Sequence, residues 1–379
     1  MSEIRFLTAG ESHGAALTAI LEGLPAGLKL NLSEINRELK RRQMGYGRGG
    51  RMKIEQDEVN ILAGVRFGET IGSPITLEVV NRDHKNWGER MAAFGERTGD
   101  EITNPRPGHA DLPGSQKYAR RDLRDILERS SARETTMRVA VGAVCKQFLS
   151  ALGINISSRL INLGGIRVDE SLLNVPTESE LNCADPVAEA KMKRLIDKAK
   201  QEGDTLGGTF EVRVAGLMPG LGSHIQWDRR LDARLAAALM SIQAVKGVEI
   251  GAGFSVADLP GSQIHDEIFL AEDGRLHRVT NRAGGLEGGM SNGEDIIVRA
   301  AMKPIPTLMR PLATVDLATK QKASAAKERS DTSAVAAASV VGEAMTAIAV
   351  AEAVREKFGG DAMIDVLAAV KNYLARLEF

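Results

Sequence analysis

The sequence is poor in aromatic residues, which make up only 4% of its 379 residues. Proteins that bind single-stranded nucleic acids stack bases on aromatic side chains, so a base-stacking protein is not indicated. Excess charge is also missing, because 49 Lys and Arg residues face 50 Asp and Glu residues. A near-neutral chain offers no basic track for a phosphate backbone, which argues against a general nucleic-acid binder.

Cysteine is scarce, and several motifs are missing. Cys145 and Cys183 show neither metal-ligand spacing nor a disulfide framework, which favours a reducing cytoplasm. We find no H-E-x-x-H motif, no Walker phosphate loop, and no G-x-G-x-x-G that opens a helix before a downstream acid. The first residues lack signal-peptide character. The alanine-rich run 334–350 contains Glu343, so it predicts a buried helix and not a membrane span.

Hydrophobic periodicity predicts a mixed α/β chain that forms one domain over residues 1–379. Predicted strands cover residues 4–9, 16–21, 59–66, 75–80, 154–168, 208–216, 249–256 and 295–302. Predicted helices cover residues 34–42, 129–153, 186–203, 228–245, a long segment after 331, and 362–377. Ser33, Asp185 and Asp228 are the predicted caps of three of them. Residues 81–118 form a long polar loop, which is typical of an active-site lid.

Two similar turn sequences, called the echoed turns below, suggest an internal repeat. The turn GLPAGL at residues 23–28 follows a predicted strand and precedes a helix, and GLMPGL at residues 216–221 does the same. Two similar halves sharing one core would explain the echo. Chance similarity explains it nearly as well, because glycine and proline mark turns in general.

Four separated segments combine cations with hydroxyls or glycines. Residues 127–136 (LERSSARETT) place arginine and serine at a predicted helix start, where unpaired N–H groups favour anions. Residues 41–53 (RRQMGYGRGGRMK) form a glycine-rich basic loop, and residues 303–307 (KPIPT) and 329–332 (RSDT) follow the same composition. A solvated loop, a plain helix cap or a nucleic-acid arm could explain each one separately. A site for a polyanionic small molecule explains all four together.

Two of the six histidines are candidates for proton transfer. His13 lies between glycines after a strand, which predicts an accessible ring, and His109 follows Arg106 in a proline-stiffened segment. A lone histidine is more often structural than catalytic, so neither is decisive. The remaining histidines lie in polar stretches and are expected to face solvent: His84, His224, His265 and His277.

Taken in order, these segments resemble the chorismate synthase family over nearly the whole chain. The resemblance rests on residues 8–14 (TAGESHG), 41–52, 106–111, 129–135, 241–247 (SIQAVKG), 284–289 (GGLEGG) and 329–331. It implies an α+β fold, a β-α-β sandwich with central helices between antiparallel sheets, assembled as a homotetramer. It also implies a cytoplasmic lyase that converts 5-enolpyruvylshikimate 3-phosphate to chorismate and phosphate, the last common step of the shikimate pathway to aromatic amino acids.

The resemblance implies an anti 1,4-elimination that needs reduced FMN although it has no net redox change. Neither a metal, a membrane nor a nucleic acid is expected to take part. NADPH is a candidate reductant, with the pyridine nucleotide on Arg42 and Arg48, overlapping the substrate site. Because no reductase domain is evident, an external flavin reductase is the expected source of reduced FMN.

The family pattern also assigns residues. His13 is similar to the acid that protonates the departing phosphate, His109 to a histidine that keeps reduced FMN protonated, and Asp331 to a carboxylate that relays a proton. Expected FMN contacts are Arg129, Ser130, Ser131, Gln243, Ala244, Gly288, Lys303, Pro304, Ile305, Pro306, Thr307 and Arg329. Expected substrate or nucleotide contacts are Arg42, Arg48, Arg51, Arg106 and Arg133.

The chain departs from the family pattern at Ser333 and Ala336, where cysteine and proline are frequent. A small polar group is kept at Ser333, so a local packing change is expected.

The sequence leaves two other functions open. One is a flavin-independent lyase acting on a phosphorylated acid, and the other is an RNA binder that uses the arginine-glycine loop.

Overall fold

The computed structural model describes residues 4–49, 54–173, 179–272, 274, 276–328 and 330–377. Its helices are α1 (Leu32–Gln43), α2 (Asp111–Tyr118), α3 (Arg124–Ser130), α4 (Thr135–Ser150), α5 (Pro186–Glu202), α6 (Leu231–Met240), α7 (Gly261–Ile264), α8 (Val335–Phe358) and α9 (Met363–Ala375). The strands of the two larger sheets are β1 (Arg5–Ala9), β2 (Ala16–Glu22), β3 (Asn60–Ala63), β6 (Ile75–Val80), β7 (Asn155–Leu163), β8 (Ile166–Arg167), β9 (Gly208–Ala215), β10 (Val245–Ile250) and β15 (Ile296–Met302). Shorter hairpins pair β4 (Val65–Arg66) with β5 (Glu69–Thr70), β11 (Ile268–Leu270) with β12 (Leu276–Arg278), β13 (Leu286–Glu287) with β14 (Met290–Ser291), and β16 (Ala313–Val315) with β17 (Lys322–Ser324).

The first sheet has the strand order β1-β2-β6-β3, with antiparallel pairing throughout. Alternation of apolar residues sets its register, because side chains two apart share a face. Leu17 pairs with Val79, and Leu21 pairs with Ile75. All four side chains are buried, so this face of the sheet belongs to the core.

The second sheet has the order β10-β15-β9-β7-β8 and is also antiparallel. Phe210 pairs with Ala300, and Val212 pairs with Val298. These residues are buried as well, so the second sheet also presents one apolar face to the core.

Helices α4 and α8 pack against each other between the two sheets. Gly142 allows their close approach, since a Cβ atom there would lie 2.4 Å from the Cβ of Ala344. By length and composition α8 could cross a membrane, but 89% of its most apolar window is buried. It is thus the buried core helix expected from the sequence, and the arrangement confirms the sandwich of antiparallel sheets around central helices.

The two halves of the sandwich share one topology. Apart from inserted elements, such as β8 and α5 between β7 and β9, each half has two strands, a helix, two more strands and a central helix in order. These are β1, β2, α1, β3, β6, α4 in the first half and β7, β9, α6, β10, β15, α8 in the second. The sheet orders β1-β2-β6-β3 and β7-β9-β15-β10 correspond strand by strand. The echoed turns occupy equivalent places after β2 and β9, and Gly23, Gly27, Gly216 and Gly220 all have positive φ there. Related topology therefore supports the internal repeat.

Several predicted boundaries were wrong. Asn31, not Ser33, caps α1, because its side-chain oxygen accepts a hydrogen bond from the Ser33 N–H. The predicted helix 129–153 is broken at Ser131, so Arg129 and Ser130 end α3 instead of starting α4.

The predicted helix 228–245 is shorter, since α6 is Leu231–Met240 with Arg230, not Asp228, at its cap position. Ala244 takes a positive φ of 68°, which a helix does not allow. The next strand therefore begins at Val245 and ends at Ile250, earlier than the predicted 249–256.

Candidate active site

The N-terminal ends of α4 and α8 meet at a cavity of about 580 Å³. Helix N-termini carry partial positive charge and unpaired N–H groups, so both central helices direct a favourable field toward an anion in this cavity. The predicted residues that line it are His13, Arg42, Arg48, Arg106, His109, Ser130, Ser131, Arg133, Gln243, Ala244, Lys303, Ile305, Pro306, Thr307 and Asp331. The fold thus brings together segments that are far apart in the chain.

His13 is held from two sides. Its Nδ1 lies 2.9 Å from Oε1 of Glu128, and its backbone N–H donates to Oε2 of Glu128 at 2.8 Å. Its ring stacks on Trp87 with the centroids 4.0 Å apart. Only 12% of the side chain is exposed, so the accessible ring expected from the sequence is instead largely covered.

His109 has a comparable partner. Its Nδ1 lies 2.5 Å from Oδ1 of Asp111. The same carboxylate accepts hydrogen bonds from Nε of Arg106 at 2.8 Å and from Nη2 at 3.0 Å. Burial alone would raise the pKa of Asp111, but its bonds to His109 and Arg106 outweigh burial and hold that pKa well below the usual range. Asp111 therefore stays a carboxylate at neutral pH and orients both side chains.

Two buried arginines share one carboxylate. Arg42 donates to Oδ2 of Asp57 at 2.7 Å, and Arg133 donates to Oδ1 at 2.6 Å. Arg133 also donates twice to the side-chain oxygen of Asn81. Burial, with the nearby charge of Arg133 acting against the attraction of Asp57, lowers the pKa of Arg42 to about 10. Arg42 is still charged at neutral pH, so the cavity wall is cationic.

Asp331 lies where the basic loop meets the start of α8. Its Oδ2 pairs with Nη1 of Arg48 at 2.8 Å, and its Oδ1 accepts the Gly49 N–H at 2.5 Å. The loop is therefore anchored at the cavity by this carboxylate. A plain helix cap does not explain residues 329–332, because α8 begins after Ala334 and, in the described chain, has no side-chain cap.

The loops around β10 and β15 form the opposite wall. The backbone N–H of Lys303 donates to the Ala244 carbonyl at 2.9 Å, which joins the two loops. Burial and the nearby charge of Lys246 lower the pKa of Lys303. Thr307 accepts a hydrogen bond from Nη1 of Arg106 at 3.0 Å, so this wall also contacts the His109 cluster.

Not every predicted contact lies at the cavity. Arg129 donates to the carbonyls of Thr8 and Gly10 and lines a neighbouring pocket of about 450 Å³, which shares Gln243 with the main cavity. Gly288 lies in the turn between β13 and β14, and Pro304 is exposed beside the wall. Arg51 and Arg329 lie outside the described residues.

The expectation for His84 was wrong. This histidine is half-buried, and its Nδ1 lies 2.9 Å from the carbonyl oxygen of His13. A carbonyl only accepts, so Nδ1 of His84 carries a proton. His224, His265 and His277 are exposed as expected.

Five residues that sequence reasoning missed hold the predicted ones in place: Asp57, Asn81, Trp87, Asp111 and Glu128. Asp111 and Glu128 lay inside segments already singled out, two residues from His109 and one from Arg129. A search for carboxylates able to pair with the histidines would have drawn attention to Asp111. Asp57, Asn81 and Trp87 carried no comparable signal.

Comparison with known proteins identifies the family. The profile described as chorismate synthase matches residues 4–354. Chorismate synthases of Syntrophotalea carbinolica and Geobacter metallireducens are 58% and 56% identical, with 98% and 99% of both chains covered. That of Aquifex aeolicus is 56% identical over 99% of this chain and 98% of its own. A solved structure described as "Crystal Structure of Chorismate Synthase" superposes with a TM-score of 0.80 at 47% identity, covering 99% of this chain and 98% of the other. The chain belongs to the chorismate synthase family.

Proposed function

We propose that the protein converts 5-enolpyruvylshikimate 3-phosphate into chorismate and phosphate by an anti 1,4-elimination that depends on reduced FMN. Family membership makes it a lyase of the shikimate pathway. The substrate, the cofactor requirement and the roles of individual residues are the proposed part. The cavity at the start of α4 and α8, with its arginines and two carboxylate-paired histidines, is the observation that supports them.

The cations suit the proposed substrate, which carries one phosphate and two carboxylates. Arg42, Arg48, Arg106 and Arg133 all line the cavity. Guanidinium groups bind such oxyanions through paired N–H donors. Asp57, Asp111 and Asp331 offset part of this positive charge and hold the four guanidinium groups in place. A preorganised cationic wall loses little free energy to rearrangement when the substrate binds.

The cavity also fits a flavin. Its volume of about 580 Å³ is in the range of small-molecule sites. Ala334, Ala337 and Ala338 line it with small apolar side chains. Within the described part of the chain, the buried Oε1 of Gln243 has no hydrogen-bond partner, so it is available to a ligand donor.

We assign FMN to the wall made by Ser130, Ser131, Gln243, Ala244, Lys303 and residues 305–307. Arg129, Gly288, Pro304 and Arg329 are proposed as outer contacts, and Arg42 and Arg48 as a site for NADPH. Bound in its reduced form, FMN would supply the electron density that helps phosphate leave.

The chain's own groups are proposed to manage the protons. His13 donates from Nε2 to the departing phosphate oxygen, since Nδ1 faces Glu128. His109, with Nδ1 on Asp111, keeps the cofactor region protonated through Nε2. Asp331 accepts a proton on a carboxylate that Arg48 and the Gly49 N–H orient. A site closed over its ligands would exclude water from these transfers.

We also propose a homotetramer in the cytoplasm that receives reduced FMN from a separate reductase. Exposed apolar side chains on the β11–β12 hairpin, Ile268, Leu270 and Leu276, are consistent with a surface covered by another subunit. Light scattering after gel filtration tests the tetramer. A monomer at micromolar concentration would contradict it.

An anaerobic assay tests the reaction. The protein is mixed with 5-enolpyruvylshikimate 3-phosphate and chemically reduced FMN, and chorismate and phosphate are measured together, with oxidised FMN as control. Equal amounts of both products with reduced FMN alone are expected. Turnover without reduced FMN would favour the flavin-independent lyase. Neither turnover nor FMN binding, together with salt-dependent RNA binding, would favour the RNA binder.

A further inference from the structure

Glu128 contacts both the imidazole ring and the backbone of His13. The carboxylate is 2% exposed. One oxygen lies 2.9 Å from Nδ1 of His13, and the other lies 3.0 Å from Nδ1 and accepts the His13 backbone N–H at 2.8 Å. The backbone carbonyl of Glu128 also accepts the Ser12 N–H at 3.0 Å. Both the ring and the main chain of His13 are therefore held by one residue.

A second layer of contacts fixes Glu128 itself. Nη1 of Arg124, one helical turn earlier on α3, donates to Oε1 of Glu128 at 2.9 Å. The Arg124 guanidinium lies 4.8 Å from the centre of the Trp87 ring, and that ring stacks on His13. Glu128, Arg124 and Trp87 thus surround the imidazole on its Nδ1 edge and on one face.

The charges favour an ionised Glu128. Burial alone would raise its pKa, but hydrogen bonds and charge attraction from His13, together with Arg124, lower it. A carboxylate only accepts hydrogen bonds, so the proton between the two groups sits on Nδ1 of His13. Nε2 is then the ring atom left for a ligand in the cavity.

We propose that Glu128 is a positioning residue for the elimination, which keeps one proton on Nδ1 of His13 so that the second proton of the imidazolium, on Nε2, is directed at the leaving phosphate. This rests on the proposed function, in which His13 is the acid. Across the elimination, the substrate C–O bond breaks, its electron pair stays on the phosphate oxygen, and the Nε2 proton of the imidazolium moves to that oxygen. The ring C–H bond also breaks, its electron pair gives the ring its second double bond, and its proton goes to the acceptor proposed above, Asp331. The product imidazole keeps its Nδ1 proton, and Glu128 remains a carboxylate throughout.

The test compares Glu128→Gln with the unchanged enzyme. A glutamine amide can accept from or donate to Nδ1, so the ring is no longer held as one tautomer. We expect kcat to fall at least 30-fold while KM for the substrate changes less than threefold. In nitrogen-15 NMR, the neutral His13 ring should change from a single Nδ1–H tautomer to a mixture of the Nδ1–H and Nε2–H tautomers. Glu211→Gln is the matched control, since Glu211 is equally buried and paired with Arg159 and Arg299 but lies outside the cavity lining. It should keep kcat within twofold.

A double-mutant cycle separates this inference from the proposed function. If Glu128 acts through His13, adding Glu128→Gln to the His13→Ala variant should lower kcat less than twofold further. A His13→Ala variant with normal turnover would overturn the proposed acid role of His13. A slow His13→Ala variant together with normal kcat and an unchanged His13 spectrum in Glu128→Gln would overturn the inference alone. Should Glu128→Gln not fold, the same spectrum is recorded for Glu128→Asp, whose shorter side chain moves the carboxylate away from Nδ1. An unchanged tautomer there would also overturn the inference.

Discussion

The Nδ1 atom of His109 lies 2.5 Å from Oδ1 of Asp111, and this pair has the same form as His13 with Glu128. In both pairs a buried carboxylate holds Nδ1 and is itself bound by an arginine, Arg106 in one and Arg124 in the other. A carboxylate on Nδ1 favours the Nδ1–H tautomer and leaves Nε2 to exchange protons. The pairs differ in that Nη2 of Arg106 also lies 3.4 Å from Nε2 of His109. The two candidate proton-transfer histidines therefore share a buried, arginine-bound carboxylate at Nδ1, although they lie in different segments.

Replacing His109 should impair turnover without releasing the cofactor. His109→Ala is expected to lower kcat at least tenfold while FMN still binds, because Arg106 keeps its contacts with Asp111 and Thr307. Anaerobic turnover and fluorescence titration of FMN measure the two effects. His277→Ala, on an exposed strand, is the control and should behave normally. Near-normal kcat in His109→Ala would remove His109 from the proposed mechanism.

The planar geometry of the Arg133 guanidinium, and not only its charge, should be needed for substrate binding. The guanidinium reaches Asp57 through Nη1 and Asn81 through Nε and Nη2, which one lysine nitrogen cannot reproduce. Arg133→Lys is expected to raise KM for the substrate about tenfold or more, measured at saturating reduced FMN. Arg213→Lys keeps a partner in Asp295 away from the cavity and should leave KM unchanged. An unaltered KM in Arg133→Lys would argue against a role for Arg133 in substrate binding.

A buried ion cluster should make stability depend on pH. Glu343 of α8 pairs with Arg41 of α1 and Lys146 of α4 and accepts the Ser158 hydroxyl. Burial opposes its charge, but Lys146 and Arg41 prevail and lower its pKa from 4.5 to about 2. Because the folded pKa lies below the unfolded one, the stabilisation is complete above about pH 5 and is lost as pH falls toward 2.

Urea unfolding at pH 7 and at pH 3 tests this cluster. Glu343→Gln is expected to lower the free energy of unfolding by about 3 kcal/mol at pH 7 and by less at pH 3. Glu356→Gln on the same helix breaks partly exposed pairs with Arg229 and Arg234, so its expected cost is below about 1 kcal/mol. Equal losses of unfolding free energy in both variants would show that the buried cluster of Glu343 stabilises the protein no more than the partly exposed pairs of Glu356.

The departure at Ser333 should be neutral. Within the described residues the Ser333 hydroxyl is buried and has no hydrogen-bond partner, and Ser333 is not among the cavity-lining residues. Ser333→Cys therefore loses no contact and buries a less polar group. We expect turnover within threefold of the unchanged enzyme and equal or higher thermal stability. A tenfold change in kcat would contradict the expected local packing effect.

Many of the strands and helices could be predicted from the sequence because they follow from local hydrophobic patterning and capping residues. Alternation located Ile75–Val80 without error, and Asp185, Pro186 and Gly203 bounded α5 correctly. Predictions failed where a distant contact overrides propensity. Residues 241–244 continue an apolar helical pattern, yet Ala244 turns out of the helix and its carbonyl accepts the Lys303 N–H. No local rule reports that partner, which lies about 60 residues away.

Local patterning predicts most of the strands, the long helix α8, the repeated glycine turns, the arginine-rich segments that suit an anionic ligand, and the family. The packing of distant segments sets which side chains meet. It paired Glu128 with His13 across 115 positions, placed Asp57 between Arg42 and Arg133, and left Gly288 outside the cavity. The physical reason is distance. Hydrogen bonds and ion pairs act over a few ångströms, and packing of the two sheets on α4 and α8 sets which side chains come that close.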